Sequence, residues 1–139
     1  MTTNIAINGF GRIGRLVLRA IFESGREDLR VVAVNDLGTV ATNAHLLKWD
    51  SNHGRFPGEI SVQGDAIDIG FGPIKFTSER DPKQLPHQEL DVDIVMECTG
   101  IFTDRARAAR HIEGGAKRVI VSAPAKNADI TVVFGVNHD

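Results

Sequence analysis

Only one cysteine, Cys98, occurs in the 139 residues. No internal disulfide can form, a disulfide scaffold is excluded, and a reducing compartment is the expected setting. Excess charge of one sign is equally lacking. Sixteen Lys+Arg stand against eighteen Asp+Glu, a net charge of −2, so there is no electrostatic footprint of a nucleic-acid or membrane-surface protein. No apolar run approaches the roughly 20 residues that span a bilayer. The opening Met1-Thr2-Thr3-Asn4 has no basic segment leading into an apolar stretch, so no signal peptide is expected. The histidines His45, His53, His87, His111 and His138 share no metal-ligand spacing with Cys98 or each other, and no metal site is expected. Aromatic residues make up 6% of the chain and do not interleave with Arg105, Arg107, Arg110, Lys117 and Arg118. That basic group therefore reads as a solvated helix face rather than a nucleic-acid surface. His111 is assigned to the same solvated face, near the negative end of its helix dipole.

The chain does have the length of one domain, enough to bury about two-thirds of its unfolded surface without staples. Its punctuation is clear. Residues 4–8 form a short apolar strand, three glycines follow, and Ile13, Leu16, Val17, Ala20 and Ile21 then recur at helical spacing up to Gly25. Residues 29–35, rich in β-branched side chains, fit a strand buried on both faces. Together these make one βαβ unit. A helix is expected over 40–49 and a polar loop over 50–55. The pairs Ile60/Val62, Ile67/Ile69 and Ile74/Phe76 predict a small antiparallel insertion. Strand 92–97, helix 104–113 stopped by Gly114-Gly115, strand 118–122 and a last strand 130–134 resume the parallel pattern. Alternating strands and helices imply a mostly parallel sheet covered on both faces. In such sheets ligands sit beyond the carboxyl ends of the strands, where strand order reverses.

Gly9-Phe10-Gly11-Arg12-Ile13-Gly14 follows a strand and opens a helix, and Asp36 ends the next strand 22 residues after Gly14. That context turns a weak glycine pattern into a dinucleotide fingerprint. Gly9 allows the tight turn, Gly11 lets backbone approach a pyrophosphate, and Gly14 lets the helix pack closely on the strands. Free amides at Arg12 and Ile13 and the positive end of the helix dipole would face the anion. The Arg12 side chain either adds charge or is solvated. Asp36 would accept both adenosine ribose hydroxyls and repel a 2′-phosphate, pointing to NAD rather than NADP; the bland alternative is an acid capping a strand end. Thr99 and Gly100 follow a parallel strand, as does Ser122, and each is either a cofactor-facing turn or an ordinary loop. Cys98 reads as a small core residue, with nothing nearby in sequence to lower its pKa. No nucleophile–base pair and no acid–base dyad is evident.

The runs Ile5-Ala6-Ile7-Asn8-Gly9-Phe10-Gly11-Arg12-Ile13-Gly14-Arg15, Val34-Asn35-Asp36-Leu37 and His45-Leu46-Leu47-Lys48-Trp49-Asp50-Ser51-Asn52-His53-Gly54 resemble glyceraldehyde-3-phosphate dehydrogenases. So do Glu79-Arg80-Asp81-Pro82, Glu97-Cys98-Thr99-Gly100-Ile101-Phe102, Val121-Ser122-Ala123-Pro124 and Phe134-Gly135-Val136-Asn137, in the family's order and spacing. The resemblance implies a Rossmann-type, doubly wound α/β domain over residues 1–139. In it the backbone at Arg12 and Ile13 holds the NAD pyrophosphate, Asp36 the ribose and the Arg80 main chain the adenine. It further implies that Thr99 and Gly100 border the cofactor, that Ser122 lies near the nicotinamide, and that Cys98 is non-catalytic.

By the same resemblance, the catalytic cysteine, its histidine partner and the phosphate-binding residues belong to later sequence, and this chain alone is expected to be inactive. The complete enzyme, a cytoplasmic homotetramer, would attack an aldehyde with a thiolate, pass hydride to NAD and release the acyl group to phosphate. Trp49 stands where the family usually has tyrosine, and His87 where it often has tryptophan. Erythrose-4-phosphate dehydrogenase is a related alternative, although it tends to carry glutamate in place of Asp36. A standalone NAD-binding module without chemistry is the other.

Overall fold

The computed structural model describes residues 2–132 and 135–137. Strand β1 (Thr3–Asn8) leads into helix α1 (Arg12–Ser24), β2 (Leu29–Asn35) and α2 (Val40–Lys48). A hairpin of β3 (Trp49–Asp50) and β4 (Gly54–Arg55) follows, then β5 (Ser61–Gln63), β6 (Ala66–Asp68) and β7 (Pro73–Thr77). After a 3-10 turn (Pro82–Gln84) come β8 (Ile94–Glu97), α3 (Arg105–Ala108), α4 (Arg110–Glu113) and β9 (Arg118–Val121). Among the described residues seven strands form one sheet in the order β5-β6-β7-β2-β1-β8-β9, parallel from β7 to β9 and antiparallel at the β5-β6-β7 edge. The insertion thus extends the main sheet, because β7 runs parallel to β2. The fold is the doubly wound α/β class, with strand order reversing on either side of β1. No helix among the described residues is long and apolar enough to cross a membrane.

The two faces of the sheet have different cores. Ile5 and Ile7 of β1 join Leu18, Val31, Val34, Leu47, Phe56, Ile67, Ile74 and Phe76 under α1 and α2. Ala6 projects the other way, with Ala33, Val92, Val95 and Ala116. Strand alternation explains this, except in β2, where the register shifts opposite Ile5 and Ala6. The extra residue puts Val31 and Val34, three apart, on one face. It also carries Asn35 to the face shared by Asn8 and Glu97, which is how a bulge re-aims a side chain.

Local sequence sets the helix ends. Thr39 Oγ1 accepts from Thr42 N at 3.1 Å and Asp104 Oδ1 from Arg107 N at 2.8 Å, each an N-cap worth about 1 kcal/mol. Gly25 closes α1 in the left-handed conformation.

Four local expectations are corrected. The buried side of α1 is Gly14, Leu18 and Arg19, with Val17 and Ile21 packed alongside, while Ile13 is half exposed and Ala20 exposed. The helix anticipated over 104–113 is interrupted at Ala109, which caps both α3 and α4. The polar stretch after α2 is a hairpin, since Asp50 Oδ1 accepts from the amides of Asn52 and His53, both at 2.8 Å, and tightens the turn. Residues 130–132 form no strand; Val133 and Phe134, the rest of that expected strand, lie outside the described residues.

Candidate functional site

The carboxyl ends of the parallel strands line up as a ledge. Asn35, Asn8, Glu97 and Val121 are register partners across β2, β1, β8 and β9. One residue further on, the backbone continues the ladder: Gly9 N donates to Asn35 O (2.8 Å), Cys98 N to Asn8 O (2.8 Å) and Ser122 N to Glu97 O (3.1 Å). Gly9, Asp36, Cys98 and Ser122 therefore leave the sheet side by side, with Thr99 next after Cys98.

The glycine turn is anchored from below and open above. Phe10 is 1% exposed and meets Phe76 edge-on, with ring centroids 5.5 Å apart. This pins the turn to the core. Gly9 has φ 92°, and a Cβ there would lie 2.8 Å from Thr99 N. Both the left-handed backbone and the contact exclude a side chain. A Cβ on Gly14 would lie 2.1 Å from Gly9 O, so α1 approaches β1 as closely as backbone allows. Gly11, by contrast, has nothing within 4 Å of a built Cβ. Arg15 Nη1 donates to Phe10 O at 3.0 Å and holds the turn from the helix side.

The amino end of α1 has the chemistry of an anion site. The first intrahelical bond runs from Arg15 N to Gly11 O at 3.0 Å, leaving the amides of Arg12, Ile13 and Gly14 without an intrahelical acceptor. Gly11 supplies no capping side chain, and the first turn holds no acid. The positive end of a 13-residue helix is thus uncompensated beside an open glycine. The Arg12 side chain is paired rather than free, with Nη1 3.2 Å from Asp50 Oδ2. The Asp50 carboxyl is pushed down to about 2, chiefly by the amides of His53 and Asn52.

Asp36 sits across the turn. Its Oδ1 accepts from Phe10 N at 3.0 Å and its Oδ2 from Gly38 N at 2.9 Å. A carboxylate has about four acceptor sites. One site on each oxygen is taken, and each oxygen keeps another. Those two remaining acceptors suit a pair of adjacent hydroxyls.

Thr99 abuts Gly9 through its amide and methyl carbon. Gly100 follows with φ 76° and is exposed. Ser122 is exposed. Arg80 is exposed, and its preceding residue is tied back to the sheet: Glu79 N donates to Asn35 Oδ1 and Asn35 Nδ2 to Glu79 O, both at 2.8 Å. Burial pushes the Cys98 thiol up, Ser122 opposes that, and Glu97 adds to it. This is a core cysteine, not an activated one.

Beneath the ledge lies a buried polar group that the sequence pattern did not reveal. Glu97 is 1% exposed and His111 0%, with Glu97 Oε2 2.5 Å from His111 Nε2. Placing His111 on a solvated face is therefore wrong; the carboxylate in the core draws the imidazole inward. His111 Nδ1 lies 3.0 Å from Nε2 of His87, which is also buried. Burial, and then the neighbouring His111, hold the His87 ring down at about 4, so it is neutral near pH 7. A signal was available: an acid inside an apolar strand needs buried donors.

A parallel sheet, a glycine turn at the point where strand order reverses, an open helix amino end and an acid on the adjoining strand define a dinucleotide-binding domain. Comparison with known proteins makes this specific. The family model described as glyceraldehyde 3-phosphate dehydrogenase, NAD binding domain, matches residues 3–105, and the chain belongs to that family. It is 68% identical over 139 residues to glyceraldehyde-3-phosphate dehydrogenase of Xanthobacter flavus, covering 100% of this chain and 42% of that protein. It is 62% identical to the Cereibacter sphaeroides enzyme, over 99% of this chain and 41% of the relative. With that of Pseudomonas aeruginosa it shares 52%, over 100% of this chain and 42% of the relative. The chain thus spans about two-fifths of the length of the curated relatives it matches. Its cofactor is NAD.

Proposed function

We propose that residues 1–139 form the cofactor domain of a phosphorylating, NAD-dependent glyceraldehyde-3-phosphate dehydrogenase. NAD lies across the carboxyl ledge of the sheet. The amides of Arg12 and Ile13 hold the pyrophosphate over open Gly11, Asp36 the adenosine ribose, and the Arg80 main chain the adenine. Thr99 and Gly100 border the cofactor, and Ser122 stands toward the nicotinamide. The observation that carries this reading is the juxtaposition at α1. Its uncapped, acid-free amino end faces the same opening as a carboxylate with one acceptor site left on each oxygen. When bound, NAD supplies a hydride acceptor; these residues bind and orient it. The aldehyde and phosphate meet the remainder of the protein, a homotetramer working in the cytoplasm. The names of the relatives favour glyceraldehyde 3-phosphate over erythrose 4-phosphate.

Titration calorimetry on the 139-residue chain tests the proposal. NAD is expected to bind, and NADP much more weakly. Asp36→Ala should lose about 1.5–3 kcal/mol of NAD affinity, the usual value of hydrogen bonds to a charged acceptor. Equal affinity for NAD and NADP, or an unaltered NAD affinity in Asp36→Ala, would remove the ribose assignment.

A further inference from the structure

Glu97 is buried and is not itself proposed to meet NAD, yet four donors converge on its carboxylate. Thr99 N (3.1 Å) and Thr99 Oγ1 (2.5 Å) donate to Oε1; Asn8 Nδ2 (2.7 Å) and His111 Nε2 (2.5 Å) donate to Oε2. Its four acceptor sites are matched by four donors, so this buried charge is fully satisfied. Burial raises the Glu97 carboxyl and the hydrogen bonds from His111, Thr99 and Asn8 lower it; the outcome is a carboxyl below its ordinary value. A buried carboxylate, even a satisfied one, is seldom more stabilising than a well-packed apolar residue of the same volume. Its structural consequence here is orientation.

That orientation is visible at Thr99. The hydroxyl is turned inward to Glu97, where it also accepts from Ile101 N at 3.1 Å, and the methyl is left against Gly9. The order continues across the sheet. With Oε2 accepting, the Asn8 amide must point its nitrogen at Glu97 and its oxygen at Asn35, whose Nδ2 donates to it at 2.8 Å. The Asn35 oxygen is then left to accept from Thr77 Oγ1 and Glu79 N, both at 2.8 Å. The carboxylate thereby shares one run of hydrogen bonds with the side-chain amides of Asn8 and Asn35, from β8 to the loop after β7. The two loops at the ends of this chain of hydrogen bonds carry Thr99–Gly100 and Arg80.

Resting on the NAD reading, we propose that Glu97, held by its hydrogen bond from His111, is a positioning residue for the cofactor. It sets the backbone at Thr99 and Gly100 directly, and at Glu79 and Arg80 through Asn8 and Asn35. In Glu97→Gln an amide nitrogen must face either the Thr99 donors or the Asn8 donor, so the hydrogen bonds cannot stay satisfied at both ends.

The experiment is a cycle on the 139-residue chain, with NAD affinity read by calorimetry and amide exchange by NMR without cofactor. Glu97→Gln should weaken NAD at least tenfold and speed exchange at both Thr99 and Glu79. Thr99→Val should weaken NAD at least fivefold, and Thr99→Ser should recover most of that loss. The double variant Glu97→Gln/Thr99→Val should bind no more weakly than Glu97→Gln alone. Additive losses, wild-type affinity in Glu97→Gln, or unchanged exchange at Glu79 overturns the positioning role. If Glu97→Gln does not fold, the Thr99 pair decides, and wild-type affinity in Thr99→Val overturns it. Absence of NAD binding by the wild-type chain overturns the cofactor reading itself, an outcome distinct from all of these.

Discussion

Two glycines of the turn should fail in opposite ways when given a methyl group. At Gly14 a Cβ would lie 2.1 Å from Gly9 O and 3.1 Å from Ile7 Cγ2, against about 3.5–4.0 Å for an ordinary carbon contact. Neither neighbour can give way. Gly9 is itself wedged against Thr99, and Ile7 is 1% exposed in the core. Helix α1 must lift from β1, and overpacking of this kind costs about 1–3 kcal/mol or more, against a gain of roughly 0.5–1 kcal/mol from alanine's helix propensity. Gly14→Ala should therefore lose about 2 kcal/mol of stability, and NAD affinity with it. At Gly11 a Cβ meets nothing, and φ is −73°, which any residue adopts. Gly11→Ala should cost a few tenths of a kcal/mol to about 1 kcal/mol, because alanine is a poor N-cap. Its methyl nevertheless occupies the side from which the pyrophosphate must approach. NAD affinity should fall about 10- to 100-fold, or about 1.4–2.8 kcal/mol. Urea unfolding reads the first quantity and calorimetry the second. Wild-type stability in Gly14→Ala, or wild-type NAD binding in Gly11→Ala, would refute the division of labour.

Stability should also depend on the buried rings. With His87 held at about 4 in the folded chain and near 6.5 unfolded, the unfolded state binds more protons between those values. Stability should therefore be complete above pH 6.5 and fall toward pH 4 by up to roughly 3 kcal/mol. Urea unfolding from pH 4.5 to 7.5 reads this slope, which His87→Gln should flatten; the same slope in that variant would contradict it. Arg19, 3% exposed, donates from Nη2 to Leu47 O at 2.6 Å and Gly54 O at 3.0 Å, tying α2 to the hairpin. Arg19→Met should cost about 2–3 kcal/mol by leaving those carbonyls without their charged donor, and an unchanged urea midpoint would refute this. Cys98 should react with iodoacetamide at pH 7 more slowly than free glutathione, since burial raises its thiol; faster alkylation would show an activated cysteine. Purified chain should not turn over glyceraldehyde 3-phosphate, and activity above background would place a nucleophile within these residues.

What could be read in the sequence follows how far apart the interacting residues are. The glycine turn, Asp36 and the strand ends were legible because each obeys a local rule: a tight turn, a close approach, an acid one residue past a strand. The buried side of α1 was not, because Ile13, Leu16, Val17, Leu18, Ala20, Ile21 and Phe22 offer apolar residues on more than one face. Periodicity cannot choose among them. The near-contact of Gly14 with Gly9 does choose, and it turns Ile13 outward. The bulge that brings Asn35 onto the face of Asn8 and Glu97 leaves no hydrophobic signature at all.

Distance along the chain also hid the fate of α4, where His111 is fully buried while the adjacent Ile112 is half exposed, the reverse of their hydropathy. Burying an isoleucine side chain stabilises by about 1.5–3 kcal/mol, whereas leaving a buried charged acceptor without its donor costs more than the roughly 1–3 kcal/mol of a neutral group. Once Glu97 stands in the core, the demand of its carboxylate for a donor outweighs the burial of Ile112 and decides which residue of α4 faces the sheet. The readable clue was therefore Glu97 inside its apolar strand, and its partner had to be sought fourteen residues away.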